Sequence, residues 1–417
     1  MNHARNIFPT SLMAGLALVT CMLLVFCQAD GAPKPPVRAK TWVGTWGTAR
    51  QLVEPKNMPP APGLSNNTLR QVVCVSVGGK RLRLRFSNEF GKEPLTLKSV
   101  QIAVSKGGAA IEESTTKVLT FSGRPDITLP PGAEVFSDPV SFKLTARMEL
   151  AITIAFGEVS PTLTGHPGSR TTSYLLAGNQ AAPNTDFTTA VKTDHWYVIE
   201  GIEVEASGSA RAAIGVIGDS ITDGRGSGTN RQNRWPDILE MALLKNSKTR
   251  QIGVLNMGIG GNCVLKGGLG PTALNRFDHD ILQQNGVRWL IIFEGVNDLG
   301  STPDSAAAFT VAQELIAAFD QMIGKAHARG IKVYGATITP FKKAGYYRPY
   351  RDEARNFVNS WIRTSGHFDA VIDFDKTIRD PADTTSLLAE AQTGDYLHPN
   401  ELGYKKMGEA VDLSLFQ

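Results

Sequence analysis

Cysteine is scarce in this chain: four residues in 417, two of which, Cys21 and Cys27, belong to an N-terminal apolar stretch. The remaining pair, Cys74 and Cys263, is too few for a disulfide-dense scaffold and has no C-x-x-C spacing, which excludes the common zinc and dithiol patterns. One bridge between them stays open, against a reading of two buried thiols. There is no Lys/Arg block and no aromatic-basic stripe, and a formal net charge of +4 over the whole length gives no strong field. Nucleic-acid binding is therefore not expected, and the expected substrate is neutral or weakly charged. Past the N-terminus no apolar run is long enough to cross a membrane. Two further patterns are missing: the Gly-x-Ser-x-Gly elbow of α/β-hydrolases and the G-x-G-x-x-G dinucleotide fingerprint. No metal and no organic cofactor is expected.

What is present begins with Arg5, an apolar run from Leu12 to Phe26, and Cys27-Gln28-Ala29. A charged n-region, an h-region and small residues in that order are the pattern of a secretory signal peptide, residues 1–29, which implies export to a secreted or periplasmic location. A Pro-rich leader follows over 30–40. At this length two domains are expected.

Residues 41–205 read as β structure. Leu82, Leu84 and Phe86 alternate with Arg81, Arg83 and Arg85 after Gly78-Gly79, and Val72 to Val77 precede that pair, so the pattern predicts a hairpin with a solvated arginine face, the alternative being arginines that grip an anionic sugar. Further strands are expected over Ser99–Val104, Val118–Phe121, Glu134–Phe142, Met148–Ala155 and Trp196–Val204, giving an all-β sandwich or jelly-roll-like domain. Small polar residues over 206–211 suggest a linker. From 212 to 417 strands at Ala212–Ile217, Ile252–Leu255, Trp289–Phe293, Lys332–Ile338 and Ala370–Ile372 alternate with helical stretches, the last over Asn400–Leu415 with Asn400 as cap. Such alternation predicts a doubly wound parallel five-stranded sheet with helices on both faces, and functional residues at the carboxyl ends of its strands.

Four blocks fall in that half: Gly218-Asp219-Ser220, Gly258-Ile259-Gly260-Gly261-Asn262, Gly295-Val296-Asn297-Asp298 and Asp395-Tyr396-Leu397-His398. Alone, each reads as a turn or a cap. The first three follow the first three strands, and together the four supply a hydroxyl nucleophile, a close-approaching backbone N–H, a side-chain amide donor and a carboxylate-held imidazole, the parts that acyl transfer needs. Asp298 reads as a loop-fixing residue. In the β half, His166, Trp196 and the loop Pro55–Pro62 are candidates for a sugar-binding wall, against a purely structural role for each.

In these blocks the chain resembles the SGNH hydrolases of the GDSL esterase superfamily, over residues 212 to 416. The resemblance implies Ser220 as nucleophile and oxyanion donor, Gly261 and Asn297 as the other oxyanion donors, and His398 as base with Asp395 as its partner. Gly260 replaces Gly261 if the register shifts by one. The further motifs Thr41–Trp46, Thr68–Gln71, Ile221–Gly226 and His398-Pro399-Asn400 are similar to those of the secreted, xylan-associated arylesterase/acylhydrolase subfamily. A long β region before the nucleophile departs from many superfamily members. The implied function is a carboxylic-ester hydrolase releasing short acyl groups, acetyl above all, from oligosaccharide or polysaccharide. The rivals are a lipase or thioesterase of the same superfamily and a carbohydrate-binding protein with a vestigial hydrolase half.

Overall fold

Short strands with large apolar side chains on one face build the first half of the molecule. The computed structural model describes residues 41–179, 182, 185–206 and 211–417; the expected signal peptide, the leader and residues 207–210 of the expected linker lie outside them. One antiparallel sheet runs Trp42–Gly47, Ile199–Glu205, Gly79–Ser87, Glu134–Phe136, with Val140–Leu144 also pairing to Gly79–Ser87. The facing sheet centres on Thr68–Cys74, Glu149–Phe156 and Leu95–Ser105. Leu82, Leu84 and Phe86 of the first sheet share one core with Leu69, Val73, Ile152 and Ile154 of the second, an all-β sandwich.

The expected hairpin is absent. Thr68–Cys74 and Gly79–Ser87 belong to different sheets, and neither Gly78 nor Gly79 has the positive φ that a two-residue hairpin turn demands. Instead the chain crosses over through Val75-Ser76-Val77, where the Ser76 hydroxyl donates to Thr45 O and the Val77 N–H donates to Thr45 Oγ1. The arginine face is not solvated either. Arg83 pairs with Glu203 on the neighbouring strand at 2.7 Å and stacks over Trp42 and Phe136, while Arg85 is buried and donates to Gln284 at 2.8 Å. Two expected strands are broken. Glu134–Phe142 is interrupted at Asp138, whose carboxylate accepts from Thr120, Ser122 and Gly123, and Trp196–Val204 at Val198, which has φ 57°. Cys74 and Cys263 are free thiols, the first only half-buried, and burial pushes both up to about 12.

The second half contains a parallel sheet in the order Ile252–Gly258, Ala212–Gly218, Val287–Phe293, Lys332–Ala336, Ala370–Ile372. Ala212–Gly218 is the second strand in that order and is buried along its whole length, as a strand covered on both faces must be. Ala213, Ile217, Leu290 and Ile292 face the helices Ser305–His327 and Pro349–Thr364; Ile214, Val216, Ile291 and Phe293 face Trp235–Lys245 and Glu401–Glu409. Asn400 caps the last helix by accepting from Gly403 N at 3.0 Å, but the helix stops at Glu409, short of the expected Leu415. A separate turn over Leu413–Phe416, capped by Asp412, then buries Phe416.

The halves are packed against each other. Val43 and Ala49 enter the core of the parallel-sheet half beside Leu255 and Met257, and Val254 N donates to Ser76 Oγ at 3.1 Å. The contact depends on missing side chains: a Cβ on Gly253 would stand 2.6 Å from Gly44 O and 3.1 Å from Ser76 Oγ. Gly253→Val is therefore expected to lower stability by about 1–3 kcal/mol, the usual cost of overpacking. A denaturant midpoint unchanged from wild type would show that the two halves do not meet this closely.

Candidate active site

The first three strands of the parallel sheet end level with one another. Gly218 lies opposite Gly258 on one side and Phe293 on the other, so the loops that follow emerge together at the carboxyl rim, where the strand order reverses. Asp219 turns the first strand into the short helix Ser220–Asp223 by accepting from Ile221 N at 2.9 Å. Ser220 is thereby presented at the helix start, 6% exposed, with its Oγ 2.8 Å from His398 Nε2. On the other side of the ring, His398 Nδ1 lies 2.6 Å from Asp395 Oδ2. The second Asp395 oxygen accepts the N–H groups of Leu397 and His398 at 3.0 and 2.9 Å, which folds the loop so that acid and base are held as a unit.

Because the carboxylate can only accept, the Nδ1 side carries the proton and Nε2 is left to take one from the serine. Burial lowers the His398 pKa from its ordinary value, and the positive charges of Arg225 and Arg170 lower it further, against the opposing pull of Asp395. Burial acts to raise Asp395, but the His398 and Leu397 hydrogen bonds outweigh it and hold the carboxyl well below its usual range. At neutral pH the pair is a neutral imidazole on a carboxylate.

Facing Ser220 are the loop after the second strand and the helix after the third. Gly261 has φ 73°, a backbone state that favours glycine, and like Ser220 its N–H donates to no protein acceptor among the described residues. The Asn297 amide donates to Asn262 O at 2.8 Å, while its oxygen accepts from the Tyr346 hydroxyl at 3.0 Å. That second contact sets which end of the amide is the nitrogen and leaves one N–H of Nδ2 free. Ser220 N–H, Gly261 N–H and Asn297 Nδ2 thus border one pocket of about 340 Å³, with Gly260 alongside. Asp298 accepts from Val264 N and Leu265 N, both at 3.0 Å, and pins the loop that follows Gly261.

Residues 216–406 match the model of the GDSL-like Lipase/Acylhydrolase family. The C-terminal domain has the GDSL-like α/β fold. Solved structures similar to the chain include a putative lipolytic protein of the G-D-S-L family from Desulfitobacterium hafniense, 24% identical over 48% of this chain and 97% of that one, with a TM-score of 0.37. A GDSL-like lipase from Bacteroides thetaiotaomicron is 17% identical over 51% and 91%, TM-score 0.37. A family two carbohydrate esterase from Cellvibrio japonicus is 12% identical over 90% and 97%, TM-score 0.34. No curated protein matches the chain.

Several residues that shape the site carry no motif. Tyr346, which orients Asn297, comes from the loop after the fourth strand. Arg276 is buried behind the rim and donates to Gly218 O, Asn262 Oδ1 and Met257 O. The β half closes one side of the pocket with Gln51, Lys56, Asn57 and Arg170. Of the residues expected to form a wall there, only the Pro55–Pro62 loop contributes. His166 and Trp196 are buried, because the His166 ring is spent on Ala49 O and Asp223 and the Trp196 indole N–H on Val72 O.

If Tyr346 acts by holding the Asn297 amide, Asn297→Ala should lower kcat by about 10²–10³, the effect of deleting one oxyanion donor. Tyr346→Phe should lower it by about 2- to 12-fold, the worth of one neutral hydrogen bond, with KM little changed. The double variant should be no slower than Asn297→Ala alone. Losses that multiply would show that Tyr346 acts on something else.

Proposed function

We propose that this protein is a secreted serine carboxylic-ester hydrolase that removes short acyl groups, acetyl foremost, from plant-type carbohydrate, in the manner of the xylan-associated arylesterases. The observation that carries the reading is the unbroken chain Ser220 Oγ to His398 Nε2 to Asp395, at 2.8 and 2.6 Å, at the mouth of a pocket bordered by three unspent donors. His398 takes the hydroxyl proton as Ser220 attacks the ester carbonyl, and the developing oxyanion lies against Ser220 N–H, Gly261 N–H and Asn297. Collapse of the tetrahedral adduct expels the alcohol, to which His398 returns the proton. Water then repeats the two steps on the acyl-serine and releases the acid.

A small pocket with Gln51, Asn57, Arg170 and Arg225 in its walls, and Leu269 and Leu397 as its aliphatic members, supports a short acyl group on a polar alcohol. A long-chain lipase or thioesterase would need an extended apolar groove. Export rests on the signal-peptide pattern before residue 30.

A series of p-nitrophenyl esters of rising chain length tests the acyl range, with kcat/KM expected to be highest for acetate and to fall steadily with length; a maximum at long chains would favour the lipase reading. Ser220→Ala and His398→Ala should each nearly abolish turnover, and the double variant should be little worse than either, since the two act as one unit. Because the reacting form is neutral His398 and its pKa is lowered, kcat/KM should rise with pH, reach half its plateau below pH 6.5, and stay flat through neutrality. A midpoint above 6.5 would contradict this account of the base.

A further inference from the structure

The charges around the pocket do not balance. Its walls carry three cations, Lys56, Arg170 and Arg225, against the carboxylates of Glu54 and Asp223. Asp223 is already matched: His166 Nδ1 lies 2.8 Å from Ala49 O and its Nε2 lies 2.9 Å from Asp223 Oδ1, so both ring nitrogens face acceptors. Glu54 is held by the neutral amides of Gln51 and Asn57, at 2.9 and 2.8 Å. Arg170 comes no closer than 3.9 Å to Asp223, and its Nε is buried without a hydrogen-bond partner. Among the described residues, neither Lys56 nor Arg225 is in ion-pair contact with a carboxylate. Both guanidinium groups also act on His398, lowering its pKa, so their charge is felt at the reacting centre. Lys56 and Arg225 are exposed at the pocket wall and stay hydrated, which leaves both charges free to meet an anion that enters the pocket.

We infer that the pocket selects esters whose alcohol part bears a carboxylate, such as acylated acidic sugars, and that Lys56, Arg170 and Arg225 receive that carboxylate. This deepens the ester-hydrolase reading and rests on it; with a short acyl group on the oxyanion side, the charged wall falls to the alcohol. It also revises the expectation of a neutral substrate, because the whole-chain charge says nothing about where the cations gather.

The test compares kcat/KM for acetate release at low ionic strength from an O-acetylated methyl uronoside and from its uncharged methyl ester. The free acid is expected to be preferred by about 10- to 100-fold, the range for a charge-assisted hydrogen bond, and the preference should shrink as salt is raised. Arg225→Met and Lys56→Met, both on exposed residues, should each lower the acid-to-ester ratio, and the pair together should bring it near one. A wild-type ratio near one, or a ratio unmoved in the double variant, would overturn the inference. A preference that follows charge on the acyl side instead, seen with a hemisuccinate against a butyrate ester, would overturn its assignment to the alcohol. Failure to hydrolyse any ester, p-nitrophenyl acetate included, would strike at the ester-hydrolase reading itself; turnover without charge preference would strike only here.

Discussion

One buried guanidinium, that of Arg276, joins the ends of the first three strands of the parallel sheet. It donates to Gly218 O just before Asp219-Ser220, to Met257 O before the glycine loop, and to Asn262 Oδ1 just past Gly261, and it pairs with Glu294 at the exit of the third strand and with Asp280. A guanidinium has five donors in a rigid fork, so each bond constrains the direction of the others. Its charge is removed from water and must be met in place, or the burial would cost several kcal/mol. The acids around it feel the same burial, which pushes Asp219 up to about 7 and raises Glu294 well above its ordinary value, against the opposing pull of the Arg276 charge. The donors at Ser220, Gly261 and Asn297 therefore stand on a common frame, and their spacing is a property of the sheet ends.

The same logic explains why the β half belongs to the site. Trp42–Gly47 lies against Ile252–Gly258, and Thr48 bridges to Asn256, so the next turn of chain, with Gln51, Lys56 and Asn57, arrives beside the loop that carries Gly261. From another part of the sandwich, His166 on the strand Thr164–His166 reaches Asp223, the last residue of the helix that Ser220 begins. Both attachments place charged or polar β-half residues opposite the carboxyl rim of the parallel sheet. A domain anchored at two points flanking a site acts as its wall.

Sequence periodicity carried the parallel sheet well, since its strands are continuous apolar runs that no other period fits, and the four blocks named the residues that the structure gathers at the rim. It failed where one local pattern suits two topologies. Val72 to Phe86 has the alternation of a hairpin, but the choice between a tight turn and a crossover was made by Ser76 and Val77 bonding to Thr45, a contact 31 or 32 residues away in the chain. Arg276 and Tyr346 were illegible for a similar reason: each acts through a contact to another loop, and a single Arg or Tyr in a helix or turn has no spacing to betray it. His166 reads from sequence either as structural or as part of a wall, and the structure decides for the first, since both of its nitrogens are already engaged.

The central claim is that Ser220 is a nucleophile made reactive by His398. Reaction with a fluorophosphonate, followed by peptide mass spectrometry, reads this without reference to any particular ester. The account predicts a single phosphonylated site, Ser220, labelled rapidly at neutral pH and hardly at all in His398→Ala. Labelling at another residue, or Ser220 labelling that proceeds as fast without His398, would contradict it.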